Sequence, residues 1–135
     1  MRTLLMFLCF LPAMTIATAH ADTPASLLAT YKTAAAQENT AFTAFSADRG
    51  RQFFTSRHGA DWSCSSCHTS DPRQSGHHAV TNKVIAPMAP AVNPERFTDA
   101  ARVEKWFRRN CKDVVGRACT ATEKGDVVIY LQSLR

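Results

Sequence analysis

The chain has 135 residues, and its 16 lysines and arginines against 11 acidic residues give a formal charge of +5. This is the length of one ordinary domain, and a composition with 45% apolar and 20% charged residues excludes a disordered or collagen-like chain. The basic residues are scattered and form no stripe with interleaved aromatics, which argues against nucleic acid as a partner. The modest positive charge suits an acidic protein partner.

The first 21 residues have the pattern of a secretion signal. Arg2 supplies the positive start, residues 4–14 form an apolar run too short to span a bilayer, and small residues precede a cleavage site after Ala21. We therefore predict a periplasmic protein of residues 22–135 that forms one domain and is not membrane-embedded after cleavage. An uncleaved anchor is the alternative, which the short apolar run disfavours.

Four helices and no convincing strand are predicted, so the expected fold class is all-α. The helices cover, in chain order and approximately, residues 24–37, 46–57, 99–110 and 120–134. Their predicted N-caps are Thr23, Ser46, Thr98 and either Thr120 or Thr122. Residues 71–97 contain four prolines and are predicted to be a long loop, which a prosthetic group would explain if the loop wraps around it.

The motif with the most specific chemistry is Cys64-Ser65-Ser66-Cys67-His68, the C-x-x-C-H signature of covalent haem attachment. Two thiols at this spacing reach the two haem vinyl groups, and the histidine that follows gives a nitrogen to the iron. A thioredoxin-like redox pair requires a βαβ context, which the absence of predicted strands disfavours, and Cys111 and Cys119 have the wrong spacing for a second zinc-ligand pair.

The residue on the other side of the iron decides the function, because a saturated iron transfers electrons and an open one admits small gases. Met88, the only methionine left after signal cleavage, is one candidate, and its other interpretation is an apolar residue lining the haem edge. His77, His78 and His58 are weaker candidates, since they lie in polar or surface-like stretches.

Asn110 is a further candidate. Val103, Trp106, Phe107 and Asn110 follow helical spacing, so Asn110 is the one polar side chain on an apolar stripe. A buried amide without a partner costs roughly 1–3 kcal/mol, and iron is one possible partner. The other interpretation is an asparagine that caps the end of the third helix.

Cys111 follows Asn110 directly, and we expect it to pair with Cys119 in an oxidising compartment. The bridge closes a short loop, which contributes roughly 2–3 kcal/mol in the chain-entropy account. It would fix the end of the third helix and with it the position of Asn110.

Together these segments of the sequence closely resemble the corresponding segments of a known family. The resemblance lies in the haem motif and in residues 83–90, 96–99, 102–106, 109–111, 116–117 and Cys119. The chain resembles the sphaeroides haem protein family, which are high-spin, class I-like cytochromes c of bacterial periplasms. The similarity covers nearly all of residues 22–135 and includes the rare Asn-Cys pair.

This resemblance implies a class I-like fold of four or five helices around one covalent haem, held by Cys64 and Cys67 with His68 as proximal ligand. It implies that Asn110 is the distal ligand of oxidised iron and leaves on reduction, opening the iron to oxygen, nitric oxide or carbon monoxide. It also implies a disulfide between Cys111 and Cys119. The electron donors it implies are a dihaem cytochrome c and a membrane cytochrome b.

The expected function is therefore electron transfer with redox-gated binding of a diatomic gas. Trp106 and Phe107 are expected to keep the distal pocket small and dry. The chain departs from the family at Met88, where an aliphatic residue is expected, and a methionine here could compete with Asn110 for the iron within the reach that the flanking prolines allow. An ordinary carrier with Met88 as ligand, a gas sensor or store, and a nitric oxide-oxidising enzyme are the alternatives.

Overall fold

The structure is a computed structural model that describes residues 22–59 and 61–135. The predicted signal peptide and its cleavage site lie outside the described residues. The described elements are α1 (Pro24–Glu38), α2 (Ala47–Thr55), α3 (Ser65–His68), β1 (Gly76–His77), β2 (Val84–Ile85), α4 (Ala100–Val115) and α5 (Ala121–Ser133). The predicted helical class is confirmed, and no helix in this part of the chain is both long and apolar enough to cross a bilayer.

Side chains at the helix starts explain where the helices begin. Thr23 and Thr120 each form a capping box with the residue three positions later, and Ser46 accepts a hydrogen bond from the N–H of Arg49. The cap of α4 is Asp99, whose carboxylate accepts from the N–H of Arg102, and not Thr98 as predicted.

The end of α4 differs from the prediction. The helix continues through Asn110 to Val115 and ends at Gly116, which has a left-handed φ of 77°. Glycine adopts this conformation without the steric cost that a Cβ would add, so it terminates the helix efficiently. The capping interpretation of Asn110 is therefore wrong, because Asn110 lies inside the helix.

The predicted loop of residues 71–97 contains a small hairpin. β1 and β2 pair antiparallel, with Gly76 opposite Ile85 and His77 opposite Val84. Two-residue strands are too short to give an alternating pattern, which is why the sequence showed no strand. The expectation of a strand-free segment is corrected here.

The hydrophobic core is centred on α5, which packs closely against α2 and α1. Gly50 of α2 lies against the backbone of Asp126 in α5, where a Cβ would lie 2.0 Å from the carbonyl oxygen. Only glycine permits this approach of two helices. The buried core side chains are Leu27, Tyr31, Phe54, Phe97, Val127, Val128, Tyr130 and Leu131.

Candidate haem site

The C-x-x-C-H motif lies on α3, a single helical turn. Cys64 is its N-cap residue, and its carbonyl accepts a hydrogen bond from the N–H of His68 at 3.0 Å. Residues three apart on a helix share a face, so the turn places the thiols of Cys64 and Cys67 side by side. Both thiols are free and half-buried.

The environment of Cys64 does not suit a dithiol redox pair. Burial raises the pKa of Cys64 to about 11, against the lowering effect of a backbone hydrogen bond and with a smaller contribution from the neighbouring Cys67. Reactive redox cysteines instead have lowered pKa values and are exposed. The pair therefore fits covalent attachment of a group better than thiol–disulfide exchange.

His68 has the properties of a metal ligand. Burial, followed by the nearby positive charge of Arg96, lowers its pKa to about 4, so the imidazole is neutral. A neutral imidazole is the form that binds metals. Among the described residues, its Nδ1 is the one fully buried side-chain polar atom without a hydrogen-bond partner. The aromatic ring of Phe54 lies 6.2 Å away, centroid to centroid.

The backbone beside His68 is strained. Thr69 has φ 63° and ψ 167°, a region that glycine almost alone adopts. Its hydroxyl donates to the carbonyl of Asp71 and accepts from the Asp71 N–H, which holds the unusual conformation in place. Such strain is concentrated at functional sites. The chain therefore turns sharply directly after the candidate iron ligand.

The hairpin packs tightly on the haem motif. A Cβ on Gly76 would lie 1.9 Å from the carbonyl oxygen of Cys67, so only glycine fits. The N–H of Ala79 donates to Sγ of Cys67 at 3.4 Å. These contacts fix the second thiol from the side of the hairpin.

The segment that carries Met88 is held by hydrogen bonds. The Met88 N–H donates to the carbonyl of Pro72 at 2.8 Å, and Arg96 donates to the carbonyls of Pro87 and Ala86 at 2.7 Å each. The Met88 side chain is half-buried and packs against the core cluster. The loop is therefore ordered around Met88.

Asn110 is half-buried on α4, three residues after Phe107. Within the described part of the chain its side-chain amide has no hydrogen-bond partner. Phe107 is half-buried and meets the ring of Tyr31 edge-on at 6.2 Å. Trp106 is 47% exposed, with the guanidinium of Arg109 5.8 Å from its ring centroid. Its predicted role as a pocket wall stays a prediction.

The cysteines after Asn110 form the predicted bridge. Cys111 and Cys119 are joined as a disulfide with their Cα atoms 5.6 Å apart. Both are buried. Asn110 thus directly precedes a covalent link between α4 and the start of α5.

The three weaker histidine candidates have other surroundings. His77 is exposed on β1, and Nδ1 of His78 accepts hydrogen bonds from the N–H groups of Val80 and Thr81. His58 is half-buried rather than on the surface, and its Nε2 lies 2.6 Å from the carbonyl of Phe53.

Sequence reasoning missed several residues that shape the site. No pattern in the sequence indicates Arg96, although its side chain binds the loop of Met88 and its charge acts on His68. Gly76 and Thr69 were also missed. A glycine nine residues after a C-x-x-C motif gives no recognisable signal, because its role depends on a contact with Cys67 across the hairpin.

Comparisons with known proteins agree with this arrangement. A family model described as a domain of unknown function, DUF1924, matches residues 40–131. Cytochrome c-type protein SHP of Cereibacter sphaeroides is 44% identical over 112 residues, covering 80% of this chain and 81% of that protein. Cytochrome c'' of Methylophilus methylotrophus is 38% identical over 105 residues, covering 75% and 73%.

Solved structures give the same picture. Oxidised SHP, described as an oxygen-binding cytochrome c, has a TM-score of 0.73 and 42% identity, covering 83% of this chain and 97% of that one. Oxidised cytochrome c'' has a TM-score of 0.76 and 35% identity, covering 83% and 94%. The helical fold and the C-x-x-C-H turn thus define a haem protein of the cytochrome c type. Within that class, the chain belongs to the family of SHP, the sphaeroides haem protein, as its resemblance predicted.

Proposed function

We propose that this chain is a periplasmic monohaem cytochrome c that transfers electrons and binds a diatomic gas only when reduced. The observation that carries the proposal is the position of Asn110. It lies inside α4 with no hydrogen-bond partner among the described residues, between Phe107 and the disulfide at Cys111. An unpaired amide in this position is available to an iron atom.

The residues that would hold the haem lie on α3. Cys64 and Cys67 would form the two thioether links, and His68 would be the proximal ligand. The haem supplies reversible one-electron exchange at its iron and, in the reduced state, a site for oxygen or nitric oxide. Burial keeps the His68 imidazole neutral and ready to bind.

Asn110 would act as the gate. A carboxamide oxygen is a hard, weak ligand, which suits ferric iron and holds the softer ferrous iron poorly. The Asn110 side chain would therefore bind the oxidised form and release the reduced form. Phe107 is expected to restrict the space beside it, because its ring is held by Tyr31.

Met88 is the basis of the second candidate function, an ordinary His/Met electron carrier. It is the only methionine in residues 22–135, and its loop is tied to Pro72 and Arg96. A thioether would bind the reduced iron well and leave no open position for a gas. With Asn110 as the distal ligand the reduced protein would bind a gas, whereas with Met88 as the ligand it would not.

The proposed electron donors are a dihaem cytochrome c and a membrane cytochrome b. Arg102, Lys105, Arg108 and Arg109 form an exposed basic face on α4 that suits an acidic partner. Catalytic turnover with oxygen and nitric oxide would make the chain an enzyme instead. A gas sensor or store would bind the ligand without turnover.

The test is the absorption spectrum of the holoprotein in both oxidation states, with and without carbon monoxide. We expect Asn110→Ala to change the ferric spectrum, and the matched control Met88→Leu to leave it unchanged. We also expect the reduced wild-type protein to bind carbon monoxide. A reduced protein that ignores carbon monoxide until Met88 is replaced would favour the ordinary carrier.

A further inference from the structure

The segment of residues 22–38 contacts the helix that carries Asn110, although it lies outside the part of the chain matched by the family model. At its start, Oδ2 of Asp22 accepts a hydrogen bond from the N–H of Ala100 at 2.8 Å. Ala100 is the first residue of α4, whose free N–H groups carry partial positive charge. A carboxylate at this point stabilises the start of α4.

A second contact lies in the middle of α1. The hydroxyl of Tyr31, a residue only 4% exposed, donates to Oε1 of Glu104 on α4. The other oxygen of Glu104 accepts from Nζ of Lys124 on α5 at 2.8 Å. Residues of three helices thus meet at the Glu104 carboxylate. Because this carboxylate is ionised, its hydrogen bonds are stronger than bonds between neutral groups.

The ring of Tyr31 makes a third contact with α4. It meets Phe107 edge-on at 6.2 Å, a favourable aromatic arrangement. Phe107 and Asn110 are three residues apart and therefore share a face of the helix. Tyr31 thus restrains both Glu104 and the neighbour of Asn110, while the disulfide at Cys111 restrains the other side.

We propose that Tyr31 is a positioning residue for Asn110, acting through its hydroxyl bond to Glu104 and its ring contact with Phe107. In this arrangement the two contacts of Tyr31 hold α4 against α1, and they limit how readily the Asn110 amide leaves its position. The inference rests on the proposed role of Asn110 as the distal ligand. It assigns this positioning role to a residue of α1, a helix that carries none of the proposed haem ligands.

The experiment compares holoproteins that carry Tyr31→Phe, Glu104→Gln or both. Tyr31→Phe removes only the hydroxyl and keeps the ring against Phe107. Tyr130→Phe is the matched control, because it is the same change in the other buried tyrosine, whose ring packs against Phe54. Glu104→Gln removes the charge from the same bond and is the second variant if Tyr31→Phe does not fold.

Two readouts are needed, namely hydrogen exchange of the α4 amides and the rate at which imidazole, as a probe, binds the ferric protein. We expect Tyr31→Phe to raise both about tenfold, the effect of losing one charge-assisted hydrogen bond. Glu104→Gln should also raise the exchange of the α4 amides and the rate of imidazole binding. The double variant should show less than the sum, because both changes weaken the same Tyr31–Glu104 bond. The part that Glu104→Gln adds to Tyr31→Phe reflects its ion pair with Lys124. Tyr130→Phe should match the wild type.

Exchange in α4 that is the same for Tyr31→Phe and Tyr130→Phe would overturn the inference. Faster exchange without faster imidazole binding would overturn it too, because α1 would then stabilise α4 without reaching Asn110. The proposed function fails differently, through an Asn110→Ala variant with an unchanged ferric spectrum. That result leaves the exchange effect of Tyr31→Phe intact, so the two failures are distinguishable.

Discussion

Two carboxylates on the packed helices differ in how strongly they depend on their partners. Asp126 has a side chain only 5% exposed and accepts from Nε of Arg49 at 2.7 Å and from the N–H of Ser46. Arg49 itself is half-exposed, but its removal would leave the buried Asp126 carboxylate with fewer hydrogen bonds, which makes this carboxylate depend strongly on its partners. Glu104 is 42% exposed, so water shares in its solvation and its ion pair with Lys124 is worth less.

Glu104 gives a prediction about pH. Burial alone would raise its pKa, but hydrogen bonds from Lys124 and Tyr31 outweigh burial and hold the pKa below the usual 4.5. A carboxylate with a lowered pKa contributes stability above its unfolded value, and this contribution is lost as the pH falls through the folded value. We therefore expect Glu104→Gln to melt below the wild type at pH 7, with the difference shrinking below about pH 4.5.

Thermal melting followed by circular dichroism between pH 3 and pH 7 measures this difference. The exposed Glu95, which lies outside this cluster, provides a matched control as Glu95→Gln. A gap between Glu104→Gln and the wild type that stays constant with pH would show that the charge of Glu104 is not the source of its effect.

Residue by residue, the sequence predicted what is local and missed what is distant. Cys64, Cys67 and His68 form a recognisable pattern because their chemistry depends on spacing within one helical turn. Tyr31 and Glu104 are 73 residues apart, and their bond exists only because three helices meet there. No periodicity or composition in either segment indicates that contact.

At the scale of elements, α4 shows why helix ends are hard to predict. Asparagine frequently terminates helices, and Asn110 precedes a cysteine expected to form a bridge, so the sequence predicts that the helix ends at Asn110. Gly116 is the stronger signal, since it adopts φ 77° directly after the last helical residue. The extra turn moves Asn110 from an end of the helix into its interior. Because a residue in the helix interior has no capping role, this position favours the interpretation of Asn110 as a ligand.

The disulfide gives a prediction at this scale. Replacing Cys111 and Cys119 together by serine removes a link between α4 and the start of α5 that spans 8 positions. We expect a loss of about 2–3 kcal/mol in the free energy of unfolding, because the closed loop limits the unfolded chain. Hydrogen exchange should rise most in the last turn of α4, which the bridge fixes. Denaturant unfolding measures the first effect.

The control for the disulfide is the wild-type protein unfolded with and without a reductant. The reductant should lower the stability of the wild type to that of the double serine variant and leave the variant itself unchanged. Equal stability of wild type and variant under oxidising conditions would contradict the prediction.

At the scale of the whole molecule, the helices that form the core are not the ones that carry the candidate ligands. α5 packs with α1 and α2 into one apolar core, whereas α3 and α4 meet this core through partly buried side chains and through contacts with Phe54, Tyr31 and Lys124. The candidate ligand residues thus lie on elements that are only partly packed against this core.

We expect the protein isolated from the periplasm to begin at Asp22, because small residues precede a cleavage site after Ala21. Its intact mass should equal residues 22–135 plus one haem, less two hydrogens for the disulfide. The two thioether links do not change this mass further, because each thiol adds across a vinyl group without losing an atom. The variant Cys64→Ser with Cys67→Ser should lose the haem and keep the disulfide. A mass that includes residues 1–21, or that lacks a covalent haem, would contradict the prediction of an exported monohaem protein.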